Sequence, residues 1–177
     1  MTESAAWGAR ITVFPELCIT GYTCQDLFLQ EKLIAGAKDA LMQLAEASAS
    51  IPGIYFVGLP YEINGKLYNV AAAISDGQVL GMVPKSWIPN YNEFYEMRHF
   101  ASGAELSTDV TLPDGSEVLV DREQLFVCEQ MNKLKIGVEL CEDLWTPNPP
   151  SIAHALAGAD VIVNLSASNE KSEAKRS

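Results

Sequence analysis

The chain has 177 residues, 48% of them hydrophobic, and 23 acidic against 12 basic residues give a formal charge of −11. That length suits one domain with enough chain to bury a substantial core, and the charge repels polyphosphate backbones, which excludes nucleic acid as an expected partner. Apolar runs are broken by charge or glycine well short of a bilayer span, and residues 1–6 carry an acid and no basic region, so neither a membrane segment nor a secretory signal is expected.

In chain order, residues 10–14 are apolar and β-branched and end at Pro15, which predicts a short buried strand. Residues 26–49 carry strong helix formers at helical spacing and offer Leu27, Leu33, Ile34, Leu41 and Leu44 as an inner face; Pro52-Gly53 ends the segment. Residues 54–61 and 67–75 read as strands joined at Asn64-Gly65, a pair suited to a two-residue hairpin because both turn residues take positive φ. Asp76-Gly77 is a second such turn, into a strand over 78–83. Residues 85–112 read as a long irregular excursion, and loops of that length are often functional. Asp114-Gly115 and Met131-Asn132 mark further turns, with strands over 125–128 and 134–140. Pro150 opens a helix over 150–158, since proline suits a first helical turn, and 159–166 reads as a buried strand. Strands alternating with helices, plus hairpins, predict a layered α/β domain with a mixed β-sheet.

Four cysteines, Cys18, Cys24, Cys128 and Cys141, form no C-x-x-C pair and match no common zinc spacing; the histidines are His99 and His154. Free thiols in a reducing cytoplasm, with no metal centre, are expected.

Three of the expected strand ends carry chemistry. Cys141 ends the run Ile136-Gly137-Val138, and a strand-to-turn exit exposes a nucleophile and leaves the next backbone N–H free for an oxyanion. Taken alone, a buried inert thiol is the commoner reading of Cys141. Glu16 follows Pro15 at a strand end and is a candidate base, or a capping or solvated acid. Lys85 follows Val83-Pro84 and can stabilise both a thiolate and an oxyanion, or be a surface lysine. A cysteine attacking an amide needs both a base and a positive group.

Together the three stretches Phe14-Pro15-Glu16-Leu17 with Gly21-Tyr22, Pro84-Lys85 with Tyr91-Asn92-Glu93, and Glu139-Leu140-Cys141-Glu142-Asp143 resemble the carbon–nitrogen hydrolase (nitrilase) superfamily. The likeness is greatest to the glutaminase domain of glutamine-dependent NAD synthetases, through Gly21-Tyr22 with Asp26-Leu27-Phe28, Tyr91 to Glu96 with Arg98 and Phe100, Leu144-Trp145, and Asn164-Leu165-Ser166-Ala167-Ser168. The resemblance implies a layered α-β-β-α sandwich, and a single, partial domain over residues 1–177 with the synthetase domain absent, since no S-G-G-x-D-S phosphate loop occurs. It implies Glu16, Lys85 and Cys141 as catalytic residues and Glu93 as a second acid that positions Lys85 or the substrate. Tyr91, Glu142 and Ser168 would line a glutamine pocket, with Trp145 close by. Tyr91 and Trp145 read equally as core aromatics and Ser168 as a helix cap. A basic residue for the substrate carboxylate would come from Lys171, Lys175 or Arg176.

The implied reaction is hydrolysis of L-glutamine to glutamate and ammonia through a cysteine thioester, with no cofactor. The ammonia would pass to an NAD synthetase domain acting on deamido-NAD, to which ATP and Mg would belong. Rival readings of the same residues are an amidase acting on another small ω-amide and an inactive fragment that keeps only interaction surfaces. The strand carrying Glu16 is expected to have an unpaired flank, and an open flank invites a homo-oligomer.

Overall fold

The computed structural model describes residues 1–168. A short helix, Thr2–Ala6 (α1), leads into the three-residue strand Ile11–Val13 (β1). The segment expected as one helix over 26–49 is divided at Gln30, which is extended (φ −94°, ψ 121°): Tyr22–Leu29 forms 3-10 turns and Glu31–Ser48 forms the helix α2. The division has a local cause. Gln25 (φ 49°, ψ −130°) breaks the turns, and Phe28 points inward onto Phe100, ring centroids 5.0 Å apart, while Leu27 and Leu29 face outward. The inner face of α2 is Ile34, Ala37, Leu41, Ala45 and Ser48, at the three- and four-residue spacing of a helical stripe.

Strands Ile54–Ile63 (β2) and Lys66–Ser75 (β3) form the expected hairpin, with Asn64 and Gly65 at φ 51° and 73°. Asp76 and Gly77, at φ 50° and 82°, turn β3 into Gln78–Pro84 (β4). The irregular excursion is shorter than expected, because Ser107–Thr111 (β5) pairs antiparallel with Glu117–Asp121 (β6) around the Asp114-Gly115 turn. Then follow Phe126–Cys128 (β7), Leu134–Leu140 (β8), Pro150–Leu156 (α3) and Val161–Leu165 (β9). The strands form two sheets, one of six in the order β1-β2-β3-β4-β6-β5 and one of three in the order β7-β8-β9, both with parallel and antiparallel pairs. β1 pairs on one side only, with β2, so the strand leading to Glu16 lies at a sheet edge among the described residues.

Side chains alternate across a strand, and that alternation sorts the layers. Tyr55, Val57, Leu59 and Tyr61 of β2, with Val70 and Ala72 of β3, pack in the cluster that holds Leu41 and Ala45 of α2. The opposite face, Phe56, Ala71, Ala73 and Val83, packs on Phe126, Ile136, Val138, Leu140, Val163 and Leu165 of the smaller sheet. α3 lies on the far side of β8, where a side chain at Gly137 would meet the His154 ring at 2.7 Å. The order is helix, sheet, sheet, helix. Among the described residues no helix is long and apolar enough to cross a membrane.

The same parity aims the polar residues. Asn69 shares the inter-sheet face of β3 with Ala71 and Ala73, and Lys85 shares that of β4 with Val83. The Lys85 N–H donates to Asn69 O at 2.8 Å, which carries the ladder one residue past β4. After β1 the chain folds over β2: Leu17 is buried at φ 53°, the Cys18 N–H donates to Pro15 O, and the Ile19 N–H donates to Gly58 O at 3.1 Å. Gly58 permits this crossing, since a Cβ there would collide with Leu17 N and lie 2.9 Å from Pro15 O. Gly58→Ala must push the Glu16 loop off the sheet, so a loss of roughly 1–3 kcal/mol is expected from overpacking. The denaturant midpoint of the variant beside the parent checks it, an unchanged midpoint contradicting the proposed contact.

Candidate active site

Lys85 has no exposed surface, and its Nζ donates to Glu16 Oε1 at 2.6 Å and to Glu96 Oε1 and Oε2 at 2.7 and 2.9 Å. Glu16 Oε1 also accepts from Asn69 Nδ2 at 2.8 Å, and Tyr22 Oη donates to Glu96 Oε1 at 2.7 Å. Burial works against the lysine's charge, but the two carboxylates outweigh it and hold Lys85 above its ordinary range. Burial, with the nearby Glu16 charge, pushes the Glu96 carboxyl up, and Lys85 and Tyr22 oppose it. A second acid on Lys85 is Glu96. Glu93, expected to position Lys85 or the substrate, lies three residues earlier in the chain and is exposed. Among the described residues Glu16 Oε2 is buried without a hydrogen-bond partner, while Oε1 is held by Lys85 and Asn69.

Cys141 directly follows β8 and is 7% exposed. In a continuing strand it would share the α3 side with Glu139, whose Oε2 accepts from the Ser151 N–H at 3.1 Å. Instead its φ is +42°, a left-handed conformation uncommon outside glycine and asparagine, which breaks the alternation and redirects the side chain. A 3-10 turn, Cys141–Trp145, follows. Asn164 of β9 braces the bend: its Oδ1 accepts from the Cys141 N–H at 3.2 Å. Burial pushes the thiol up, and the charge of Glu16 adds to this; the Ser166 hydroxyl, the Lys85 charge and an Ala167 backbone hydrogen bond act the other way. Glu16 and Lys85 are in direct contact, their charges bear on the thiol in opposite senses, and the three residues follow β1, β4 and β8 at those strands' carboxyl ends.

Around it, Tyr91 Oη donates to Glu142 Oε2 at 2.8 Å, which brings two of the expected pocket residues together. Trp145 is 75% exposed and so is not a core aromatic. Ser168 is exposed, with its Oγ 3.1 Å from that of Ser166, and caps no described helix. Lys171, Lys175 and Arg176 lie outside the described residues. Asp26 pairs with Arg98 at 2.7 and 3.0 Å, and with the Phe28–Phe100 contact this ties the 3-10 segment to the excursion. The exposed ion pair itself adds little stability. A cleft of about 900 Å³ lies at the opposite end of the sheets, lined by Arg10, Ile11, Ile54, Phe126, Cys128 and Leu134, and contains none of the three. Among the described residues no cluster of three or more His, Cys, Asp or Glu side chains is placed to hold a metal ion.

Four residues of the site escaped sequence reasoning. Asn69 carried a signal, a lone amide inside the apolar run of β3 at the parity of its inward face. Glu96, Asp143 and Ser166 carried none beyond lying inside the quoted stretches, because turns set their directions.

A sequence profile of the carbon-nitrogen hydrolase family matches residues 1–176. The glutamine-dependent NAD(+) synthetase of Mycobacterium tuberculosis is 41% identical over 161 residues, 91% of this chain and 24% of that protein. The crystal structure of a glutamine-dependent NAD(+) synthetase from Cytophaga hutchinsonii superimposes with a TM-score of 0.80 at 29% identity, over 94% of this chain and 26% of that one. A Nesterenkonia amidase of the nitrilase superfamily shares the fold, with a TM-score of 0.67 at 16% identity over 93% of this chain and 55% of that one. The chain spans about a quarter of the length of the curated relatives it matches.

The buried cluster makes Lys85 a structural group as well as a chemical one. Lys85→Met leaves Glu16 and Glu96 facing each other in a buried site without their cation, a change that typically costs about 3–5 kcal/mol. The stranded carboxylates then hold protons in the native state that the unfolded chain releases, so the variant's stability falls as pH rises. Denaturant midpoints between pH 5 and 8 should fall more steeply for Lys85→Met than for the parent; parallel profiles would contradict the cluster.

Proposed function

Because the chain belongs to the carbon-nitrogen hydrolase family, we propose that it hydrolyses the side-chain amide of L-glutamine to glutamate and ammonia through a thioester on Cys141. The observation that carries this reading is the unpartnered Glu16 Oε2 on a carboxylate that is held from the other side by Lys85 and Asn69, in electrostatic reach of a thiol at a left-handed strand exit.

Glu16 Oε2 takes the proton from Sγ as the sulfur attacks the amide carbon, and the carbonyl electron pair moves onto oxygen. Lys85 Nζ has three N–H donors. Glu16 takes one and the two Glu96 oxygens share a second, leaving the third for the oxyanion. The Cys141 N–H is engaged by Asn164, so the turn's donor is the Glu142 N–H. Collapse breaks the C–N bond, and Glu16 returns its proton to the departing ammonia. Glu16 then deprotonates a water, whose oxygen attacks the thioester; the C–S bond breaks and the proton passes back to Cys141. The sum is glutamine plus water giving glutamate plus ammonia, with no metal or organic cofactor in the steps.

Tyr91 and Glu142 form a polar pair suited to the ammonium of free glutamine; in this reading Glu93, Trp145 and Ser168 add to the substrate pocket and a basic residue beyond Ser168 takes its carboxylate. The names of the relatives support glutamine as the substrate and a synthetase domain as the user of ammonia, which would convert deamido-NAD to NAD in the cytoplasm with ATP and Mg. Self-association through the open β1 edge belongs to the same reading.

Ammonia release from glutamine beside a panel of other ω-amides tests the substrate; preference for another amide would replace glutamine. Cys141→Ala should abolish turnover, while alanine at Cys18, Cys24 or Cys128 leaves it measurable. Glu16→Gln should lower it by roughly 10²-fold or more through lost proton transfer. Undiminished turnover in Cys141→Ala would refute the mechanism.

A further inference from the structure

Asp143 is 1% exposed. Its Oδ1 accepts from the Trp87 N–H at 2.8 Å and the Ser86 N–H at 3.0 Å, and its Oδ2 accepts from the Leu140 N–H at 3.2 Å, with the Ser86 N–H also 3.4 Å away. Ser86 and Trp87 directly follow Lys85, and Leu140 directly precedes Cys141. Lys85 leaves the six-stranded sheet and Cys141 leaves the three-stranded one. One carboxylate therefore ties the backbone beside the oxyanion cation to the backbone beside the nucleophile, across the interface of two sheets that share no strand ladder. An acid at the third position of a turn commonly reaches back to the N–H before it. That habit explains the bond to Leu140 and leaves those to Ser86 and Trp87 unexplained.

We propose that Asp143 is a positioning residue for the amide hydrolysis described above, the clamp that sets Lys85 against Cys141 between the two sheets. The role rests on that reading of the site. Misplacement by about 1 Å of a group in a reacting constellation can cost on the order of 10²-fold in rate.

The clamp has a pH signature. Burial pushes the Asp143 carboxyl from its ordinary 3.8 up to about 6, against the opposing hydrogen bonds from Trp87, Leu140 and Ser86 and the charge of Lys85. Lys85 faces it from the β4 side, and Cys141 and Glu142 flank it in its own turn. Above about pH 6 both oxygens accept, and all three N–H groups are satisfied. Below it, one oxygen carries a proton and presents a donor to a backbone donor, so the clamp loosens. The folded chain holds this proton more tightly than the unfolded one, so ionising Asp143 lowers stability between about pH 4 and 6. Activity should therefore rise through the interval in which stability declines.

Two measurements on the full chain test this. In a ¹H–¹⁵N titration from pH 4.5 to 8, the amides of Ser86, Trp87 and Leu140 are expected to move with one shared midpoint near 6. In glutamine turnover, Asp143→Asn should lower kcat at least tenfold with KM within about threefold, and the acid limb near pH 6 should disappear, since the amide does not titrate. Three amides without a common transition would overturn the clamp, and the wild-type titration decides this even if the variant does not fold. An acid limb that persists unchanged in Asp143→Asn would overturn it as well. A shared midpoint in a chain that releases no ammonia from any amide would overturn the proposed function and leave the clamp standing.

Discussion

A lysine ammonium without exposed surface, held between the carboxylates of Glu16 and Glu96, is the interaction on which the rest of the structure depends. Taking three charges out of water costs several kcal/mol per ion, recovered only where geometry and further hydrogen bonds are good. The chain supplies both. Asn69 and Tyr22 each donate to one of the carboxylates, and Gly58 and Gly103 clear the space in which the backbones around Glu16 and Lys85 pass. At Gly103 a Cβ would collide with the Pro84 ring and lie 2.9 Å from Lys85 O. A buried ion cluster of this kind is weak grounds for stability. It is a good means of fixing a carboxylate and a cation in one place, and among the described residues Glu16 Oε2, the atom proposed as the base, is buried without a hydrogen-bond partner.

The proposed nucleophile, Cys141, comes from the other sheet. Apolar alternation along β8 secures Ile136, Val138 and Leu140 against the six-stranded sheet, and the same alternation would turn Cys141 away from the lysine. The left-handed residue at the strand end undoes that, and Asn164, from the neighbouring parallel strand, holds the bend. The site is thus a product of two sheets meeting at their carboxyl ends, and its accuracy depends on what crosses between them. Packing between the sheets is apolar and nondirectional. Beside it the Asp143 carboxylate is a buried directional link, bonded to backbone on both sides.

Much of this was legible in the sequence. Glu16, Lys85 and Cys141 each end an apolar run beside a proline or a turn, and strand periodicity locates such ends well. The two Asn-Gly and Asp-Gly hairpins were legible because their residues tolerate positive φ. The layered α/β arrangement followed from the order of elements. Other features were not. Glu93 and Glu96 lie on one irregular excursion, and a left-handed Asn92 followed by the short 3-10 turn Glu96–Arg98 decides which acid faces inward. No periodicity reports on that. β5 does not stand out in the sequence because Ser107-Thr108-Asp109-Val110-Thr111 is mostly polar, a strand whose place comes from β6. The break between residues 26–29 and α2 is not legible locally because the Phe28 contact with Phe100 joins residues far apart in the chain.

The most direct test of the central claim, that the Glu16–Lys85 cluster makes Cys141 a nucleophile for the glutamine amide, is covalent capture. The full chain is treated with a diazoketone analogue of glutamine and mapped by peptide mass spectrometry, with and without excess L-glutamine and in Glu16→Gln. The expected result is a single adduct on Cys141, suppressed by glutamine and formed much more slowly in the variant. An adduct spread evenly over Cys18, Cys24, Cys128 and Cys141, or labelling of Cys141 that neither glutamine nor Glu16→Gln affects, would contradict the account.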